Sequence, residues 1–482
     1  MQDEQRWPAE HHRLRSVIIF YVPGGCTLEM GPTAIIPEGH LLSRDVGDWG
    51  PLAEEIKTAG TATTLAPALR EIKLTAPKGQ PTAVLLHHSM FHRGTARMVD
   101  EDGEPLEERV RPMFKFIFTR CREPTAPDWD ADGTPVDFAE LLSEPAMVPA
   151  LESLFDWQKG EGNAPLPAEC SCSAAELAAA EATLLAPPAD GDEAVRTGAA
   201  YVLARAARAG DAASAEALVS AVTQRESSAG RRCAAHALTA AGVGVIPRLL
   251  GAMNAGAAAG DWEVVVDAAD AIGEAANPSA ALVDTIAATA QRLHSELVAK
   301  GLEAFGGAEA LPPLHNRWVG GRGAPVAAVG SLVLALDHLA MRAAAQRTPG
   351  WEELCAQVCT AVLPFVEHDT PDSSDDLYQH QSPAGRYSHV RAPVLAAECL
   401  GNLALHPLPA SLVSEAVTKL QRSVRDRSTS PRMYAPAMEG LRRLTASAPA
   451  VGAGTRAARR VVLNTWGLVD QQNNRGFAEA AF

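Results

Sequence analysis

The sequence predicts an α+β chain of more than one domain, β-rich at its N-terminal end and all-α beyond. Three observations carry this. Short β-favouring runs at 16–22, 34–36, 83–86 and 112–118 are bounded by Gly- and Pro-containing turns. A Pro-rich stretch with Trp129 and Trp157 follows to residue 172. After Ser173 alanine dominates, aromatics thin out and apolar residues recur at helical spacing. The length of 482 residues fits about two to four domains with sizeable cores.

The strands come first. Run 16–22 (SVIIFYV) is closed by Pro23-Gly24-Gly25, and 34–36 follows the Gly31-Pro32 turn. Run 83–86 is apolar, whereas 112–118 alternates Met113, Lys115 and Ile117 with Phe114, Phe116 and Phe118. Such strands predict a β-barrel or sandwich with one filled face. Between the last two runs stands His92, followed by Arg93 and Gly94, with Arg109 and Arg111 opening the final strand. A histidine at a strand edge, facing an arginine able to grip a carboxylate bidentately, is an arrangement that holds a metal beside an anionic co-substrate. The link 98–108 contains Asp100-Glu101-Asp102-Gly103-Glu104-Pro105, read as a solvated acidic turn.

Phe91-His92-Arg93-Gly94, Arg111-Pro112-Met113-Phe114-Lys115 and the upstream Gly31-Pro32-Thr33-Ala34-Ile35-Ile36-Pro37-Glu38-Gly39-His40 closely resemble motifs of the phytanoyl-CoA dioxygenase family, in the same order. The likeness runs from the first residues to about Trp129. It implies a jelly-roll (double-stranded β-helix) domain that binds Fe(II) through a His-x-Asp pair and a distal histidine, with 2-oxoglutarate as co-substrate held on the iron and by an arginine. His92 matches the distal histidine. Arg111 is the implied co-substrate arginine, with Arg109 the alternative on the same side of an extended segment, and Thr33 a further co-substrate contact. Aligning the opening segment places Met1-Gln2-Asp3 on His-x-Asp, so Asp3 matches the carboxylate ligand and Met1 falls where a histidine is expected. A thioether is a soft ligand that does not replace imidazole in such a site. The alignment therefore predicts a site one ligand short, a chain that begins inside the family's motif, and no turnover as it stands. Two further departures are Glu38-Gly39, where Gly-Ser is commoner, and the long acidic link. Of the other histidines, His40, His87 and His88 are read as structural. His294-Ser295-Glu296 is excluded as a ligand pair because i and i+2 diverge on a helix.

In the second half, Val195, Ala199, Val202, Leu203 and Ala206 trace one helical face ending at Gly210-Asp211. Helix–turn–helix units follow at 231–253, 261–300, 325–365 and 390–420, and again around 431–446. Such helices bury their stripes by stacking on one another. The units resemble HEAT repeats; an irregular helical bundle is the alternative. Stretches 301–324 and 367–388 interrupt the stack, and the second carries Asp369, Asp372, Asp375, Asp376 and His380, read as a solvated loop. The expected domains are a jelly-roll at 1–130, incomplete at its N-terminus, a connector at 131–172 with a short helix at 147–157, an all-α HEAT-like solenoid at 173–466 and a tail at 467–482.

A net charge of -16 argues against duplex nucleic acid or an anionic membrane as partner. The eight cysteines show no C-x-x-C pair, which predicts reduced, mostly buried thiols, Cys355 and Cys359 included. The best membrane-span candidate, 330–341, is broken by Asp337 and His338, and no charged-then-apolar leader is visible. These features predict an intracellular, cytoplasmic protein. Two functions remain in view. One is an Fe(II)/2-oxoglutarate-dependent hydroxylase acting on a small-molecule or protein substrate, with a protein partner on the repeats. The other is a non-catalytic repeat scaffold with a remnant oxygenase domain.

Overall fold

The strands are β1 (Ser16–Val22), β2 (Thr33–Ile36), β3 (Ile72–Lys73), β4 (Thr82–His87), β5 (Phe91–Gly94) and β6 (Phe114–Thr119) in a computed structural model of the chain. The residues described are 12–14, 16–42, 54–56, 58–61, 66–100, 103, 106, 112–120, 124–127, 136–162, 165–167, 172–187, 192–223, 228–299, 325–366, 392–425 and 431–447. The chain forms two compact units, Met1–Gly256 with Glu274–Ala276, and Ala257–Gly273 with Asn277–Phe482. It is α+β and mostly helical.

In the first unit every residue of β1 after Ser16 is β-branched or aromatic, which favours the pleated conformation. Ser16, Ile18, Phe20 and Val22 are buried while Val17, Ile19 and Tyr21 are only half so. β1 is the middle strand of the antiparallel order β4-β1-β6, with Ile19 between Leu85 and Phe116. A second antiparallel sheet has the order β3-β2-β5. All four residues of β2 are buried because it is covered on both sides. Ile35 packs with Ile18, Phe20, Leu86 and Met90, and Ile36 with Leu41, Phe91, Met147, Leu154 and Ala194.

One expectation needs correction. The alternation in β6 was read as one filled face, yet neither face is filled: Phe116 is 47 % exposed, Phe118 54 % and the opposite-facing Ile117 51 %. The reason lies in the cover. The cluster that buries β1 takes residues from β2 and β4 and none from β6, so the terminal strand gains no burial from its apolar pattern.

The turn after β2 explains the Glu38-Gly39 departure. Glu38 sits at φ 64°, a left-handed conformation that glycine tolerates far better. Its buried carboxylate accepts from the Ser143 N–H at 2.7 Å and the Glu144 N–H at 3.2 Å. Residue 39 must be glycine because a Cβ there would lie 2.6 Å from the Phe91 ring. Glu38→Ala keeps the strained φ and loses both charge-assisted bonds, so it is expected to lower stability by about 2–3 kcal/mol in urea unfolding. Glu38→Gly, which relieves the backbone, is expected to lose clearly less. Equal losses would show that the φ strain is unimportant.

The helices of this unit begin with α1 (Phe138–Leu141), N-capped by Asp137, and α2 (Val148–Gln158), which is the helix expected at 147–157. Then come α3 (Ala174–Leu185), α4 (Glu193–Arg208), α5 (Ala212–Thr223), α6 (Ser228–Leu238) and α7 (Ile246–Ala259). Ser173 and Glu176 form a capping box on α3. α4 packs against α2, α3, α5 and α6. Its approach to the turn Pro145–Met147 is so close that a Cβ on Gly198 would overlap the Ala146 carbonyl. The face expected for α4 is corrected in part: Leu203 and Ala206 are buried as expected, but Val195 is 49 % exposed, and Ala194, Thr197, Gly198, Tyr201 and Ala204 are buried as well. A helix surrounded by neighbours buries its small residues, whose faces show no hydropathy contrast.

In the second unit α8 (Trp262–Ala275), α9 (Ala280–Ala299), α10 (Pro325–Gln346), α11 (Trp351–Val362), α12 (Ala392–Leu403), α13 (Ala410–Arg425) and α14 (Pro431–Ser447) follow the expected helix–turn–helix spacing. α10 packs against α9, α11 and α12, and α12 against α14. By length and composition Ala328–Gln346 could cross a membrane, contrary to the reading of a broken run, but 89 % of it is buried inside the protein. Asp337, His338 and Arg342 are buried with it. Asp337 accepts from Asn402 at 2.9 Å, and Arg342 donates to the Gly273 carbonyl. Cys355, Cys359 and Cys399 are buried free thiols, and burial pushes Cys355 and Cys359 up to about 12, which keeps them protonated in the core.

Candidate functional site

His92 is the second residue of β5, opposite Ile35 of β2, while Thr33 stands opposite Gly94. Side chains two apart on a strand share a face. Thr33, Ile35 and His92 therefore all point toward the β4-β1-β6 sheet, where Ile35 packs on Ile18 and Phe20. The His92 ring lies 5.4 Å from the Phe20 ring. Thr33 is buried, and its hydroxyl meets the Met113 sulfur at 3.7 Å.

The local sequence sets the His92 tautomer. The β4–β5 turn places the Met90 carbonyl 2.9 Å from His92 Nδ1. Nδ1 is then the protonated nitrogen and Nε2 carries the lone pair, as in metal-binding histidines oriented by a backbone carbonyl. Burial holds the ring below the usual imidazole range, against the smaller opposing effect of the Met90 carbonyl. A neutral imidazole is the form that ligates. On the other face of β5, Arg93 forms a two-point pair with Glu71 at 2.5 and 2.9 Å, so it serves the sheet and not the site.

Asp3, Met1, Arg109 and Arg111 lie outside the described residues, as does the 367–388 loop with its acids. Within the acidic link, Gly103 donates to the Asp100 carbonyl at 3.1 Å, a turn as expected. Among the described residues no group of three His, Cys, Asp or Glu side chains is placed to hold a metal ion. His92 fits an iron ligand by position and tautomer. Among the described residues one imidazole is nonetheless too small a donor set for a facial triad, so these residues by themselves do not fit a complete iron centre.

The strand register adds a residue that the motif reading left unassigned. Lys115 lies opposite Phe20, with its ammonium 5.7 Å from that ring, on the same side of the sheet as His92. Desolvation lowers its pKa. The signal was the odd-numbered position in β6, visible only once Phe20 was known to be its partner. Of the other histidines, His40 and His87 stack at 4.8 Å, and His294 lies edge-on to Phe365 at 5.2 Å.

No protein-family model matches the chain, and no curated protein matches it.

Proposed function

We propose that the N-terminal part of this chain is an Fe(II)- and 2-oxoglutarate-dependent dioxygenase domain of jelly-roll type, a hydroxylase by design. HEAT-like helical repeats joined to it present a surface to a protein partner. The observation that carries the reading is His92. It lies within a motif series in family order, faces inward beside Thr33, and is held by Met90 in the tautomer a metal requires. Asp3 would be the second ligand and Arg111 the anchor for the distal carboxylate of 2-oxoglutarate, with Arg109 the alternative.

The test is anaerobic Fe(II) titration and 2-oxoglutarate calorimetry, followed by succinate measurement with O2. Weak Fe(II) binding and no succinate are expected from the chain as it stands. Met1→His behind a short leader should tighten Fe(II) binding. In that background Arg111→Ala should abolish 2-oxoglutarate binding and Arg109→Ala should matter less. Robust turnover by the unchanged chain means that another residue completes the site. Equal co-substrate affinities with and without Arg111 rule that residue out. The incomplete donor set favours a second reading, a non-catalytic repeat scaffold with a remnant oxygenase domain. That reading takes over if a folded Met1→His chain still fails to bind Fe(II).

A further inference from the structure

His40 and His87 reach one another from separate elements, the single turn Gly39–Leu41 after β2 and the end of β4. Their rings stack with centroids 4.8 Å apart and 27° between planes. Hydrogen bonds define the neutral state. The Ser89 N–H donates to His87 Nδ1 at 3.1 Å, so His87 Nε2 carries the proton and meets the Arg13 carbonyl at 3.3 Å. His40 Nδ1 is shielded from solvent and has no hydrogen-bond partner among the described residues.

Burial outweighs the groups that favour a cation, the backbone of Arg13 and of His12 acting on His87. His12 lowers His40 and His88 lowers His87, and among the described residues no carboxylate acts on either ring. His12 in turn stacks on His236 of α6 at 4.2 Å, and its Nδ1 lies 2.8 Å from the Tyr201 hydroxyl of α4. The neighbouring Arg13 is paired with Glu274 at 2.8 Å, with Arg208 also within its field.

We propose that the His40–His87 stack is an acid-released latch, which holds the β4–β5 turn in place at neutral pH and lets it go on acidification. A proton on His87 Nδ1 sets one donor against another, the Ser89 N–H. A proton on His40 Nδ1 creates a buried N–H with no acceptor. Two imidazolium rings at stacking distance also repel. Burial and neighbouring imidazoles lower both groups, His87 to about 4. An opened His87 titrates near the ordinary value of about 6.5. Between those values the open state takes a proton that the closed state refuses, so closure is fully stable above about 6.5 and weakens as pH falls toward about 4. The turn concerned includes Met90, whose N–H donates to the His87 carbonyl at 3.0 Å. The inference stands apart from the oxygenase reading.

The test is hydrogen exchange of the Ser89 and Met90 amides in the full chain, corrected for the intrinsic pH dependence of exchange. Titration of His87 alone should raise the opening constant roughly twentyfold from pH 7 to pH 5, with amides in the middle of α4 unchanged. His40→Phe combined with His87→Gln, which keeps a ring in the stack and a donor toward Arg13, should reduce that rise to less than about twofold. A wild-type opening constant that stays within about twofold, or a double variant that keeps the full rise, overturns the proposal. Should the double variant fail to fold, ring titration of His40 and His87 by NMR in the wild type decides. Midpoints below about 5.5 with loss of Ser89 protection support the latch, and midpoints near 6.5 with protection intact overturn it.

Discussion

Arg196→Ala is expected to destabilise the first unit by about 3–5 kcal/mol, the range for removing one partner of a buried charged network. Arg196 is 1 % exposed, on the second turn into α4. Its Nη1 donates to the carbonyls of Thr183, Leu184 and Ala186 at 3.2, 2.8 and 2.8 Å, and its Nη2 to Pro187 at 3.2 Å and to the Asp192 carboxylate at 2.5 Å. These carbonyls belong to the C-terminal end of α3 and the link after it, where a helix has acceptors without intrahelical donors and a partial negative charge. One guanidinium therefore terminates α3 and ties it to α4. The fork geometry is essential, so Arg196→Lys should recover less than half of the loss. Urea unfolding of the chain followed by circular dichroism measures the effect. A loss within about 1 kcal/mol for the alanine variant would show that water replaces the arginine at this helix end.

That arginine marks the limit of what could be read from the chain. β1 and β2 were legible because β-branched content and Pro/Gly punctuation agree there, and in β1 with a period-two burial. The paired helices from residue 228 onward were legible for the same kind of reason, each unit carrying its own stripe and turn. β5 was not. Phe91–Gly94 is four residues with two charged or titratable side chains, and it becomes a strand only because β2 lies ready to pair with it. The buried face of α4 was missed because alanine, threonine and glycine carry no contrast for periodicity to detect. The change in composition at Ser173 marks where the alanine-rich helices begin, after two earlier helices; strand residues Ile36 and Phe91 nonetheless share a core with Ala194 of α4.

The candidate site shows the same division. His92 was visible through its motif, but its orientation depends on a carbonyl two residues away in a turn that His87 helps to hold. That Thr33 and His92 share a face follows from the β2–β5 register, which no local pattern contains. Chemistry was legible where it depends on residue type. Geometry was not, where it depends on contacts made by residues distant in sequence.

Arg13→Ala is the companion expectation, with a loss of about 3–5 kcal/mol from the first unit. The segment before β1 is polar in composition, yet Arg13 is 3 % exposed and its partner Glu274 is fully buried. Arg13 Nη1 donates to the Glu274 carboxylate and to the Glu274 carbonyl, both at 2.8 Å, and Nη2 donates to the Thr239 carbonyl at 2.6 Å. The guanidinium also lies 5.6 Å from the centre of the buried Trp157 ring. Truncation removes the cation that compensates Glu274 in a site water does not reach, together with the donor to Thr239, so the loss exceeds that of any exposed pair. A charge left behind should be the larger part of it. Arg13→Met with Glu274→Met, which removes both charges and keeps apolar volume, should then be at least about 2 kcal/mol more stable than Arg13→Ala alone. Denaturant unfolding of the wild type, Arg13→Met, Glu274→Met and the double variant closes the cycle. If the double variant loses the sum of the singles, the charges act independently and the segment is held by packing on Trp157 instead.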